Sequence, residues 1–245
     1  MEFADLVIIL LLVVLEAALS ADNALVLAVL VLPLPKEQHQ KALRYGIVGA
    51  FFFRILCILF AQHLIHFNLA KLLGSLYLFY LPVKYFVGRF QANGHGYIKP
   101  ARPIFGLSIF WSVVTRVELT DIVFAIDSIL VAVAMSRKLW VIITGGLLGV
   151  IAIRVAIGKL LKVIEAYPAI VDGAYIIVGW VAVKLMVEYL HGMEWIDWEI
   201  PKWFSLTLIG VIFLVSLFYA QRKAAIEIRR KVAILEAEMG ESNDE

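Results

Sequence analysis

Leu15-Glu16-Ala17-Ala18-Leu19-Ser20-Ala21-Asp22-Asn23 and Val117-Glu118-Leu119-Thr120-Asp121-Ile122-Val123-Phe124-Ala125-Ile126-Asp127-Ser128 each lie inside a long apolar run. Together they place five carboxylates where hydrocarbon is expected. A charge at the centre of a bilayer costs roughly 3 kcal/mol on insertion scales, so such residues turn to a bundle interior and mark an ion or proton path. The two stretches also match each other. Glu16 to Asp22 and Asp121 to Asp127 both span six positions, and a small polar residue, Asn23 or Ser128, follows each second Asp. A duplicated acidic segment in an apolar setting points to a cation pathway.

Composition agrees. Of 245 residues, 62% are hydrophobic and mean hydropathy is +0.91, more apolar surface than a soluble domain of this size hides. The reading is an all-α integral membrane protein with one transmembrane domain over 1–220 and a cytoplasmic tail over 221–245. The net charge of +2 and the absence of a basic, aromatic-interleaved patch give no sign of nucleic acid. Cys57 is the single cysteine, which excludes an internal disulfide and leaves it as a small core residue. Glu2, Asp5 and Glu16 do not suit a signal peptide, so the N-terminal run reads as a first transmembrane helix.

Seven spans can be drawn, at about 5–32, 45–66, 69–87, 104–134, 139–161, 169–190 and 203–220, each near or above the ~20 residues a crossing needs. With residue 1 outside, thirteen Lys and Arg fall in cytoplasmic loops and tail, against Lys71, Arg137, Lys138 and Lys202 outside. The positive-inside rule therefore favours N-out and C-in, and Trp140, Trp195, Trp198 and Trp203 then gather at the outer interface. Gly46-x-x-Gly49-x-x-x-x-Arg54 recurs as Gly146-x-x-Gly149-x-x-x-x-Arg154, an offset of 100 that Lys84 and Lys184 share. The acidic segments are offset by 105. Each copy contains three spans, so the second copy must be upside down. The expected architecture is two inverted three-helix repeats, about 5–90 and 104–191, plus a seventh helix at 203–220. That arrangement places a substrate site near the midplane.

On one straight helix Glu16, Ser20 and Asn23 share a stripe while Asp22 points about 120° away. Glu118, Asp121 and Asp127 are spread in the same manner. Helix breaks near Ser20–Asn23 and within Glu118–Asp127 would bring the acids together, and Thr115-x-x-Glu118 has the form of a capping box at a helix start. The alternative is that the second Asp of each pair serves a separate gate or a neighbouring helix. An oxygen-only site suits hard divalent cations such as Mg²⁺, Ca²⁺ and Mn²⁺. The bland alternative is a set of ion pairs with Arg54, Arg116 and Arg154, and five acids exceed those three bases. The arginines fit a charge-balancing or gating role when metal is absent. The paired glycines read as close-packing points. His63 and His66 read as an interfacial pair, Asp172 as solvated, and Glu188 as a guide for cations near the outer end.

At these residues the chain resembles the TerC family of integral membrane proteins. The likeness rests on Glu16-x-x-x-Ser20-x-Asp22-Asn23, Glu118-x-x-Asp121-x-x-Phe124-x-x-Asp127-Ser128 and the paired glycine–arginine segments, and covers roughly residues 1–220. The resemblance implies a transporter related to the LysE superfamily, with links to manganese export and to tellurium resistance. By match, Glu16, Asp22, Glu118, Asp121 and Asp127 would coordinate the metal. Tellurite is an oxyanion, which surplus carboxylates repel, so Mn²⁺ is the favoured cargo.

The expectation is an inner-membrane exporter of Mn²⁺ working by alternating access, with protons as a possible coupling ion and no resident cofactor. Asp22 and Asp127 are the expected central ligands, with Glu16, Glu118 and Asp121 completing the site and Asn23 and Ser128 supplying neutral oxygens. The rivals are a Ca²⁺ transporter of similar architecture and a non-transporting metal sensor or scaffold. An intramembrane aspartyl protease built on Asp121 and Asp127 is disfavoured, because the Gly-x-Gly-Asp pattern of that class is missing.

Overall fold

Apolar runs this long bury their backbone polar groups by forming helices, and the computed structural model follows that rule. It describes residues 3–60, 68–91, 103, 104 and 106–242, and every regular element among them is helical. They are α1 (Phe3–Leu19), α2 (Ala21–Val31), α3 (Lys36–Leu59), α4 (Asn68–Gln91), α5 (Ile109–Met135), α6 (Leu139–Ala166), α7 (Ile170–Gly192) and α8 (Lys202–Ser242). Pro33 and Pro35 separate α2 from α3, Pro168 lies between α6 and α7, and Pro201 precedes α8, each where a missing amide donor does least harm. His63, His66 and His95 lie outside the described residues.

The first expected span is two helices. Ser20 leaves helical geometry at φ −110° and ψ 12°, while Ser20 N–H still donates to the Glu16 carbonyl at 2.9 Å and Ala24 N–H to the Ser20 carbonyl at 3.0 Å. This is a bend without rupture. The Ser20 hydroxyl donates to Glu16 Oε1 at 3.1 Å, the kind of local side-chain bond that competes with regular helix. The second expected break is absent. α5 runs unbroken through Glu118, Asp121 and Asp127, and its N-cap is Ser108, which accepts from Trp111 N–H at 3.4 Å. Thr115-x-x-Glu118 is therefore helix interior and not a capping box. The ordinary serine cap one turn into the apolar run sets the true start.

By length and composition, α3, α6, α7 and the Lys202–Ile226 part of α8 qualify as membrane-crossing helices among the described residues. α1 and α2 are 17 and 11 residues long because of the bend at Ser20, and α5 carries Arg116, Glu118, Asp121 and Asp127.

Contacts fix the packing directions. Asp5 meets Lys138 at 2.7 Å, Leu12 lies over Gly145, and Glu16 lies over Gly149, so α1 runs parallel to α6. Glu118 lies over Gly46 and Gly49, while Ser128 meets Arg54, so α5 runs parallel to α3. Arg154 reaches Gly46 and Arg54 reaches Gly146, so α3 and α6 are antiparallel. α4 and α7 are antiparallel too, with Lys71 on Glu188 at 3.8 Å and Arg89 on Asp172 at their other end. These contacts correct the expectation for Asp172, which faces Arg89 on the neighbouring helix; Glu188 likewise faces Lys71. Lys71, read as a loop residue, belongs to α4. At the Asp172 end, Tyr85 stacks on Tyr175 with ring centres 3.9 Å apart and donates its hydroxyl to Asp172 at 2.7 Å.

α2 lies at the centre, with every residue from Ala24 to Val31 buried. A helix apolar on all sides belongs in such a place. Its core joins Leu43, Leu78, Val113, Ile157 and Ile177. A smaller cluster gathers Ile9, Leu12, Cys57, Ile58, Ile129 and Ile142. Along α3 and α5, Arg54, Glu118 and Asp121 fall between residues of these two apolar clusters; Glu16 follows the smaller cluster on α1, and Arg154 sits beside the larger one on α6.

Asp172→Ala leaves Arg89 and the Tyr85 hydroxyl without their shared acceptor. It should cost about 1–3 kcal/mol, read as a lower thermal midpoint of purified protein in detergent. An unchanged midpoint would contradict the pairing.

Candidate cation site

Two buried arginines organise the polar layer. Arg54, on α3, grips Glu16 on α1 with both terminal nitrogens: Nη1 donates to Oε1 at 2.9 Å and Nη2 to Oε2. Nη2 also donates to Ser128 Oγ on α5 at 2.9 Å, and that hydroxyl donates to the Ala125 carbonyl at 3.1 Å. One guanidinium thus ties three helices. The planar fork suits this bidentate task as an ammonium would not.

Arg154, on α6, is held more loosely. Its Nη2 lies 3.4 Å from Glu118 Oε1, 3.2 Å from Asp121 Oδ2 and 3.5 Å from the Gly46 carbonyl. These are long for charge-assisted bonds, which settle near 2.7–2.9 Å. Glu118 Oε2, Arg154 Nη1 and Arg54 Nε are buried without a hydrogen-bond partner among the described residues. Asp121 is the most exposed of this group, at 23%, against 9% for Glu118 and 3% for Arg154.

The glycines of the duplicated segment explain how carboxylates fit between helices. A Cβ on Gly149 would stand 2.5 Å from Glu16 Cγ, and one on Gly49 would stand 2.5 Å from Glu118 Oε2. A Cβ on Gly146 would meet Arg54 Nε at 2.9 Å, and one on Gly46 would meet Glu118 Oε1 at 2.8 Å. The arrangement is reciprocal. Glu16 of α1 rests on Gly149 of α6, Glu118 of α5 rests on Gly46 and Gly49 of α3, and each arginine lies across a glycine of the opposite segment, Arg54 at Gly146 and Arg154 at Gly46. The sequence reading gave these glycines to helix packing and missed that side-chain carboxylates, and not only backbones, occupy the space. The shared offset of 100 between Gly46, Gly49, Arg54 and their counterparts was the available signal.

Two small cavities flank Arg54, each about 10 Å³ and large enough for about one water centre. The first is lined by Glu16, Arg54 and Ser128 beside the smaller apolar cluster. The second is lined by Arg54, Glu118 and Asp121. Arg54 therefore faces both acid sets.

Of the expected ligands, Glu16 and Ser128 come together on Arg54, and Glu118 and Asp121 on Arg154. Asn23 is buried in the first turn of α2. Asp22 and Asp127 lie in α2 and α5, with side chains outside the described residues. Arg116 is half-buried two positions before Glu118, about 200° around the helix from it. Among the described residues no three His, Cys, Asp or Glu side chains gather closely enough to hold a metal ion. The guanidinium groups divide the described acids into two sets. Sequence reasoning also missed His39. It is 3% exposed, with Nδ1 2.8 Å from Glu165 Oε1 and Nε2 2.8 Å from the Leu34 carbonyl, and it joins the α2–α3 connection to the end of α6.

Residues 1–225 match the model of the integral membrane protein TerC family. An uncharacterized membrane protein of Bacillus subtilis, YceF, is 38% identical over 91% of this chain and 84% of its own length. A second from that organism, YkoY, is 34% identical over 83% of this chain and 70% of its own. The inner membrane protein YgdQ of Escherichia coli is 25% identical over 90% of this chain and 91% of its own. No solved structure matches. The chain belongs to the TerC family and is an integral membrane protein.

Gly149→Ala would push its new methyl into Glu16 and strain the Glu16–Arg54 pair. The thermal midpoint should fall by several degrees. Gly158→Ala meets nothing within 4 Å, so it should be neutral or stabilising by up to about 1 kcal/mol through helix propensity. Equal behaviour of the two variants would contradict the cradle.

Proposed function

Starting from membership of the TerC family, we propose that this protein is a transporter of divalent metal cations, with Mn²⁺ as the favoured cargo and export as the direction. The observation that carries the reading is the layer of buried carboxylates, held by arginines and set against glycine faces between two apolar clusters. Such a layer is costly as scaffolding, because buried ion pairs contribute little stability beyond well-packed apolar residues. It suits a hard cation that binds through oxygen. Glu16, Asp22, Glu118, Asp121 and Asp127 are the proposed ligands, Asn23 and Ser128 the neutral oxygens, and Arg54, Arg116 and Arg154 the charge-balancing bases. Mn²⁺ is preferred over tellurite because surplus negative charge repels an oxyanion.

The architecture we propose is seven spans, six of them in two inverted three-helix repeats. α1 with α2, α3 and α4 would form the first, and α5, α6 and α7 the second. The antiparallel run of α3 and α6, with Arg154 at Gly46 and Arg54 at Gly146, supports an inverted relation. Alternating access would then open the apolar cluster on one side of the polar layer while closing the other. Exposed Trp140, Trp195, Trp198 and Trp203, at the start of α6, the end of α7 and the start of α8, suit one interfacial belt on the outer side. Residue 1 would lie outside and residue 245 in the cytoplasm. Reporter fusions at the two ends should label opposite sides, and labelling on one side would sink the seven-span topology.

Carboxylates that release a cation can accept protons, so proton exchange is the proposed coupling. Inside-out vesicles carrying a Mn²⁺-sensitive dye, with membrane potential clamped, test the whole reading. Mn²⁺ should enter, faster with an acidic lumen, and the lumen should become more alkaline. Asp22→Asn and Asp127→Asn should abolish uptake, while Arg137→Gln, exposed beyond α5, should leave it intact. Uptake equal to that of protein-free vesicles would overturn transport and favour a sensor. Uptake indifferent to the pH gradient would overturn the proton coupling alone.

A further inference from the structure

We infer that Arg54 and Arg154 are tethered competitors of the transported cation: each guanidinium occupies acid oxygens that the metal needs, and must leave them for the metal to bind. This deepens the proposed function and rests on it.

Three observations carry it. Arg54 engages both oxygens of Glu16 and the Ser128 hydroxyl at once, so neither oxygen of Glu16, the described carboxylate of the first acidic motif, is free of the guanidinium. A divalent ion cannot share those lone pairs in the same geometry, because a cation repels the arginine that holds them.

The second observation is incompleteness. Glu118 Oε2, Arg154 Nη1 and Arg54 Nε are buried without a hydrogen-bond partner among the described residues. An unpaired buried polar atom costs about 1–3 kcal/mol, more when charged. Arg154 also spreads one nitrogen over three acceptors at 3.2–3.5 Å. A purely structural ion pair would be closed on itself. This one leaves an acid oxygen and guanidinium nitrogens unsatisfied inside the same layer.

The third observation is that the two acid sets adjoin one arginine. Arg54 borders two cavities, one with Glu16 and Ser128 and the other with Glu118 and Asp121. A guanidinium leaving Glu16 has a second carboxylate set, Glu118 and Asp121, on the other cavity that Arg54 borders. Before metal binds, the two arginines offset part of the acids' charge, and metal binding moves the arginine aside. Release of metal at the far side is then assisted by the returning guanidinium.

The prediction is opposite in sign to that of a structural arginine. Free Mn²⁺ is followed by its electron paramagnetic resonance signal during titration of purified full-length protein in detergent, at about pH 8, where protons compete least. Arg54→Ala should bind Mn²⁺ about tenfold tighter than wild type or better, equivalent to about 1.4 kcal/mol. Added guanidinium ion should reverse the gain in Arg54→Ala, and should do no more to wild type than an equal concentration of NaCl. Arg54→Lys, which keeps the charge and loses the fork, should fall between the two. It serves as the deciding variant if Arg54→Ala is not monodisperse. Arg154→Lys should also bind tighter than wild type.

Variants that are folded and bind Mn²⁺ no better than a wild type that binds it would overturn the inference and leave the transport reading standing. A gain that guanidinium does not reverse would also overturn it. Failure of wild type and all variants to bind Mn²⁺ would overturn both.

Discussion

A carboxylate at membrane depth must be neutralised, and in this protein the Glu16–Arg54 pair meets that demand. It joins α1 to α3, recruits Ser128 of α5, and forces α6 to present Gly149 and Gly146 where larger side chains would clash. The second acid set, on α5, places the same demand on Arg154 and on Gly46 and Gly49. Side-chain size, helix direction and the bend at Ser20 are all compatible with that single electrostatic requirement. A chain with five carboxylates in its two apolar motifs has few other ways to fold in a bilayer.

The polar layer sits between two unequal apolar clusters. The larger surrounds α2 and reaches α4 and α7. The smaller joins the α1, α3, α5 and α6 segments on the far side of the acids. A cation moving through the bundle would have to pass one cluster, displace an arginine, and leave through the other. The proposed cycle therefore has a physical cost at each stage: repacking of apolar side chains, breakage of a buried ion pair, and desolvation of the ion. The carboxylates offset the last of these. The arginines offset the cost of emptying the site.

Much of this was legible in the sequence. The length of the apolar runs gave the helical elements, and the offset of 100 joined Gly46, Gly49 and Arg54 to Gly146, Gly149 and Arg154. The bend at Ser20 followed from asking how Glu16 and Asp22 could face one point. Long-range pairing was the part a sequence could not supply. Asp172 looked solvated because its partners, Arg89 and Tyr85, lie more than eighty positions earlier. His39 and Glu165 are farther apart still. The unbroken course of α5 through its acids was missed for a different reason. A break was expected so that Glu118, Asp121 and Asp127 could face one point, but Glu118 and Asp121, three positions apart on one helix face, both reach Arg154 without one, and the Asp127 side chain lies outside the described residues.

The most direct test of the central claim is anomalous scattering from Mn²⁺ in crystals of the protein. The account predicts one strong peak in the polar layer, within about 2.5 Å of carboxylate oxygens from both acidic segments. The Arg54 guanidinium should be displaced from Glu16. Mn²⁺ found only at the surface, with the Glu16–Arg54 and Arg154–Asp121 pairs intact, would contradict it.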